Sequence, residues 1–166
     1  MRTCILAFMI GLLFLPAISA AAESDTLFLE GVGIKIGAPK SEVRAKFTEG
    51  YTIAEQNENW DIFTKERFLG TIQFENGCVK TIVKNWSDYR VKFGGQKSFQ
   101  TLFDLMSNLT KQGFVVAQVS TKEIKQRNFT SNIIRLKMNN RTIDISVQKA
   151  VDGEGYAVHI DEILSK

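Results

Sequence analysis

Cysteine is nearly absent from this chain. Of 166 residues only Cys4 and Cys78 carry a thiol, and Cys4 lies in a stretch expected to be removed. One cysteine cannot close an intramolecular bridge, so small disulfide scaffolds are excluded and stability must come from a core. Histidine is as scarce, with His159 alone. One histidine and one cysteine do not make a usual zinc set. Any Ser-His-Asp or Cys-His mechanism would have to use His159. Charge of one sign is lacking too. Without Arg2, 20 basic residues face 18 acidic ones. That balance argues against a nucleic-acid binder or a polybasic membrane module. There is no low-complexity segment, no heptad array, and no apolar run long enough to span a bilayer.

The longest apolar run is at the start. Arg2 is followed by CILAFMIGLLFL, Pro16 and the small residues AISAAA. Charge, short apolar run and small residues form a secretory signal peptide, and about 12 apolar residues fall short of the roughly 20 a spanning helix needs. Residues 1–22 read as the signal, with cleavage after Ala20, Ala21 or Ala22 and Ala22 favoured. No cysteine stands at the cleavage site for a lipid anchor. The expectation is a soluble periplasmic or secreted protein with no integral membrane segment after cleavage. Residues 23–166 suffice for one domain with a core. Four sequons occur, at Asn85, Asn108, Asn128 and Asn140. They would accept glycans in a eukaryotic exported protein and mean nothing in a bacterial one. Asn108 falls in a predicted helix and Asn140 in a tight turn, which favours the bacterial reading.

The pattern divides near KFGGQK, residues 92–97. The two halves, about 27–91 and 97–164, have a similar layout. In the first, Leu27–Glu30 suggests a short strand and Lys40–Phe47 a helix, with Val43 and Phe47 one turn apart. Strands follow at Tyr51–Ile53 and Trp60–Thr64. Asn76-Gly77 is a strong hairpin signal, because a type I′ turn needs φ > 0 at both central residues. It pairs Glu75 with Cys78, Phe74 with Val79 and Ile72 with Thr81. Ile72, Phe74, Val79 and Val83 then share a core face. Cys78, Lys80 and Lys84 fall on the polar one, and Ile82 is out of place there. In the second half, Phe99, Leu102, Phe103, Met106 and Leu109 form a helical stripe, with Ser98 as N-cap and Gly113 as the stop. Phe114–Thr121 reads as a strand. A turn at Asn139-Asn140 pairs Leu136 with Ile143 and Ile134 with Ile145, and Ile134, Leu136, Ile143, Ile145 and Val147 share one face. The loop AVDGEG leads to a last strand, Tyr156–Ile163, whose alternation turns Tyr156, Val158 and Ile160 inward and His159 and Asp161 to solvent.

The fold expected is α+β: two successive units of helix plus antiparallel meander, with helices covering one face of antiparallel sheet. GVGIKIGAPKSEVRAKF at residues 31–47 is glycine-rich but is no phosphate loop. Gly33 and Gly37 are too close, Ala38-Pro39 stands where Lys-Ser/Thr belongs, and the glycines at 31, 33 and 37 miss the dinucleotide fingerprint. Pro39 suits a helix start instead.

Ile34-Lys-Ile36-Gly37-Ala-Pro-Lys40-Ser-Glu42-Val43 resembles the I-x-x-G-M-S-x-x-E-V opening of the BamE/SmpA family, small lipoproteins of outer-membrane β-barrel assembly. GTIQFENGCVKTI resembles that family's later strands. The resemblance covers about residues 31–84. It implies helices packed on an antiparallel sheet, a fold shared with β-lactamase inhibitor protein, in which two such units stand in tandem. Pro39 replaces the family's capping Ser/Thr, and the lipid-attachment cysteine is missing.

No catalytic constellation emerges. Asp61, Glu66, Asp144 and Asp161 are carboxylates a hydrolase would use. Asp152 and Glu154 lack calcium-loop spacing. Cys78 reads as an inert small residue beside a turn, or as a reactive thiol if exposed. The leading expectation is an exported non-enzymatic module that binds another protein, in envelope or outer-membrane maintenance or in inhibition of a target enzyme, with no cofactor and no metal. Trp60, Trp86 and Tyr89 are the candidate partner contacts, since aromatics are enriched at interface hot spots. The alternatives are a carrier with an apolar pocket between helix and sheet, and a carboxylate-dependent hydrolase.

Overall fold

The computed structural model describes residues 24–87, 95–126, 129–150 and 156–166. The segment read as a signal peptide, Tyr89 and the AVDGEG loop beyond Ala150 lie outside them. The elements run β1 (Thr26–Leu29), β2 (Val32–Lys35), α1 (Lys40–Lys46), β3 (Tyr51–Gln56), β4 (Asn59–Thr64), β5 (Phe68–Glu75), β6 (Cys78–Asn85), α2 (Gly95–Lys111), β7 (Gln118–Lys125), β8 (Phe129–Met138), β9 (Arg141–Ala150) and β10 (Tyr156–Ser165).

The fold is α+β. Eight antiparallel strands form one sheet in the order β3-β4-β5-β6-β10-β9-β8-β7, and β1 and β2 form a separate hairpin. Each helix precedes four consecutive strands, and the last strands of the two sets, β6 and β10, pair at the centre. Opposed residues of paired strands share a face, so the register places Trp60, Ile72, Ile82 and Leu164 in one row across the sheet. All four are buried. With Leu27, Leu29, Ile34 and Val43 they form the core beneath the hairpin and α1. Leu105 and Leu109 of α2 cover Met138, Ile143 and Ile160 on the same face.

The local signals explain much of this. Asn76 and Gly77 have φ of 53° and 75°, as the type I′ turn requires. Glu75↔Cys78 and Phe74↔Val79 pair as the turn dictates. Leu136↔Ile143 and Ile134↔Ile145 follow from the Asn139-Asn140 turn. Gly113, at φ 84°, ends α2. Its N–H donates to Thr110 O and the Phe114 N–H to Leu109 O, the paired bonds of a Schellman stop.

Several expectations are corrected. Ile72 pairs with Ile82 rather than Thr81, because the register shifts beyond Phe74↔Val79 and leaves Lys80 as an extra residue in β6. This β-bulge turns Ile82 into the core, where an Ile at the centre of a covered sheet belongs, and moves Lys84 onto the covered face. Val83 goes to the other face. Ser98 lies inside α2, not at its cap. Leu105 and Leu109 are buried, whereas Phe99 and Phe103 are 70% and 60% exposed. Apolar residues extend around α2 beyond the stripe that packs on the sheet, so periodicity alone does not choose which edge faces in. Ile134 also stays exposed. The strand expected at Phe114–Thr121 begins four residues later, at Gln118.

Residues 31–35 do not run straight to the helix. Glu30 and Gly31, at φ 47° and 90°, close the β1–β2 hairpin. The next backbone donors are already engaged: Gly37 N–H on Val79 O, Ala38 N–H on Lys35 O, and Lys40 N–H on Gly77 O. A phosphate cradle needs such donors unoccupied. Among the described residues no helix is long and apolar enough to cross a membrane.

Candidate functional site

Between α2, the sheet and the hairpin lies a half-open cavity of about 260 Å³. Its apolar walls include Leu27, Phe28, Leu105 and Leu109, and its polar lining includes Lys84, Arg141, Glu162 and Trp86. Three of the polar groups arrive by register. Glu162 of β10 is opposed by Lys84 of β6 on one side, and Arg141 of β9 sits opposite the next inward residue, Leu164.

Arg141 and Glu162 form a buried ion pair through Nη1 and Oε1, their side chains only 6% and 4% exposed. The second oxygen of Glu162 accepts the Trp86 indole Nε1–H at 3.1 Å. Arg141 Nη2 donates to the Thr26 carbonyl at 2.9 Å, tying the hairpin to the sheet. Its guanidinium also lies over the Phe114 ring. The Nε–H of Arg141 is buried with no acceptor among the described residues. Lys84 Nζ stands 3.8 Å from the centre of the Trp86 ring. Burial pushes the Lys84 amine below the usual lysine range; nearby Glu162 opposes this, while Arg67 and Arg141 reinforce it.

Buried charges are costly unless paired and hydrogen-bonded. Here each oxygen of Glu162 has its own donor, and the pair lies beside a cavity rather than in dry packing. Mixed apolar walls with a few fixed polar groups are the usual make-up of a small-molecule pocket, although this volume falls just below the roughly 300–1,000 Å³ range.

The candidate contact residues separate. Trp60 is 1% exposed and packs edge-on against Phe74, so it is core and offers no surface to a partner in this fold. Lys40 and Arg44 close over its ring. Trp86 is half-buried and lines the cavity. Of the four carboxylates, Asp144 and Asp161 come together as cross-strand partners on the face opposite α2. Asp144 takes a two-pronged contact from Arg135, at 2.8 and 2.6 Å. Asp161 accepts from Asn85 at 2.8 Å. Burial raises the Asp161 carboxyl above its usual range, the Asn85 hydrogen bond opposes this, and Asp144 adds to it. Asp61 is separate, bonded to Thr71 at 2.6 Å, and Glu66 sits in the β4–β5 turn.

His159 shares that face and is only 9% exposed, which corrects the expectation of a surface histidine. Burial lowers its pKa, so it folds neutral and opposes folding increasingly as pH falls through the window below about 6.5. Asp161 has the opposite sign. Its raised pKa means its charged form penalises folding above the ordinary carboxylate range, and that penalty is relieved as pH falls toward about 4. Cys78 is free and exposed. Among the described residues no group of three or more His, Cys, Asp or Glu side chains is arranged to hold a metal ion.

The sequence reading missed Lys84, Arg141 and Glu162. The signal for two of them was present. Glu162 stands two residues beyond inward-facing Ile160, and Arg141 two before inward-facing Ile143. Charged residues at inward positions of an alternating strand mark a buried polar site. Comparison with protein-family models, curated proteins and solved structures returns no match.

Proposed function

We propose that this chain is an exported binding protein that holds a small molecule in the cavity between α2 and the sheet, without catalysis of its own. The observation that carries the reading is the buried Arg141–Glu162 ion pair, hydrogen-bonded to half-buried Trp86 at the edge of a cavity with apolar walls. Such a cluster is costly to keep for packing alone, and hydrophobic replacements of similar volume are often as stable. Export is supported by the charge, apolar run and small residues at 1–22.

A second reading is a protein-interaction module, with envelope maintenance or enzyme inhibition as its setting. It is favoured by Phe99 and Phe103, one turn apart and exposed on α2, since exposed aromatics at helical spacing suit a partner's groove. The Ile34–Val43 resemblance to the BamE/SmpA family points the same way.

Native mass spectrometry of protein purified gently from its own exported fraction separates the two readings. The cavity reading expects a small-molecule adduct that disappears under denaturing conditions. A reproducible protein adduct, with no small one, would instead support the second reading. Bare mass in every preparation would weigh against both.

A further inference from the structure

Among the described residues the charges lining the cavity do not cancel. Lys84 and Arg141 are opposed by one carboxylate, Glu162. Both oxygens of that carboxylate are committed, one to Arg141 and one to the Trp86 indole. Among the described residues no carboxylate or carbonyl bonds the Lys84 ammonium, whose close neighbour is the face of Trp86. A cation over an aromatic ring gains about 0.5–2 kcal/mol, which does not replace an anion for a group partly removed from water. Arg141, itself 5% exposed, adds a buried Nε–H without an acceptor. The described residues of the cavity therefore keep one positive charge in excess and at least one donor unused, next to Leu27, Leu105 and Leu109.

We propose that the cavity takes a small amphiphile with one anionic headgroup, a carboxylate being the type, seated on Lys84 with its apolar part along Leu27, Leu105 and Leu109. This rests on the reading of the cavity as a binding site. A single excess charge matches a monoanion. The volume of about 260 Å³ restricts the apolar part to a short chain. Glu162, held by Arg141 and Trp86, keeps the arginine from competing for the ligand and leaves the lysine to read it.

The test is isothermal titration of the mature chain with octanoate and with 1-octanol, for the wild type, Lys84→Met and Lys84→Gln. Octanoate should bind at least about tenfold more tightly than octanol to the wild type, the worth of one hydrogen bond to a charged group. Both variants should lose that preference and bind octanol within about twofold of wild type, which also certifies their fold. If octanol binds the wild type as tightly as octanoate, the anionic proposal fails while the cavity reading stands. If neither probe binds at millimolar concentration, both fail. Octanoate affinity unchanged in the two folded variants would remove Lys84 as the headgroup's seat and overturn the proposal.

Discussion

Arg141→Met should destabilise the protein by about 3–5 kcal/mol, measured by urea or thermal unfolding, because it leaves the Glu162 carboxylate buried without its counter-charge. Glu162 is held in place by strand register, opposite Lys84 and Ile143, and its side chain is only 4% exposed. The substitution also removes the bond from Arg141 Nη2 to Thr26 O. The β1–β2 hairpin should then exchange its amide protons faster than the central strands, and the increase should be confined to residues 26–35. The double variant Arg141→Met/Glu162→Leu should recover most of the loss, because removing both charges removes the uncompensated one. Recovery should be incomplete, since the Trp86 indole N–H loses its acceptor, worth about 1 kcal/mol if water reaches it through the cavity. A single variant as stable as wild type would mean that Glu162 is not held as a buried charge.

Gly70→Ala should be at least as damaging, on the order of 4 kcal/mol or more. Gly70 has φ 153°, a conformation that side-chain-bearing residues rarely adopt, and a Cβ there would overlap the Val83 carbonyl oxygen of the neighbouring strand. That oxygen is backbone and cannot turn aside. Either β5 and β6 separate or the chain leaves the bulge at which Ile62 pairs with Gly70 and Phe63 with Phe68. Lys84, the partner of Gly70 in β6, would move with its strand. A folded Gly70→Ala variant, if one is recovered, should therefore lose octanoate binding together with stability. Wild-type stability in this variant would show that the β5–β6 pairing is looser than its register implies.

The two bulges show where sequence reading stops. Asn76-Gly77 fixes a turn through local backbone chemistry, and the first two pairs of the hairpin follow from it without knowledge of the rest of the chain. The extra residue Lys80 does not follow, because a bulge is chosen by what it does to the strand beyond. Here it lets Ile82 join Trp60, Ile72 and Leu164 in one buried row. The misplaced Ile82 in the unbulged register was the visible trace of that conflict. α2 shows a different limit. Its C-terminal end is legible at Gly113, where the chain itself supplies the stop, while its start lies at Gly95 rather than at the expected cap Ser98. Its orientation is not legible, because Phe99, Phe103 and Leu105 are all apolar and only the packing against Met138, Ile143 and Ile160 decides among them. The cavity was the least legible part. It depends on Lys84, displaced by the bulge, and on two charged residues that alternation places inward but that are easily passed over as hairpin polarity. His159 illustrates the converse: its face was read correctly, its burial was not, since on the face opposite α2 it is buried together with Asn85 and Ser146.

The central claim is that the cavity under α2 is where this protein binds. The most direct measurement is a ¹H–¹⁵N NMR fragment screen of the mature chain, with the two tryptophan indole N–H signals assigned by substitution. Trp86 lines the cavity and Trp60 lies in the core, so the two report independently. The account expects hits that shift the Trp86 indole and the amides of Leu27, Leu105 and Leu109 while leaving the Trp60 indole unmoved. Hits that leave Trp86 silent, or that gather around Phe99 and Phe103 instead, would contradict it.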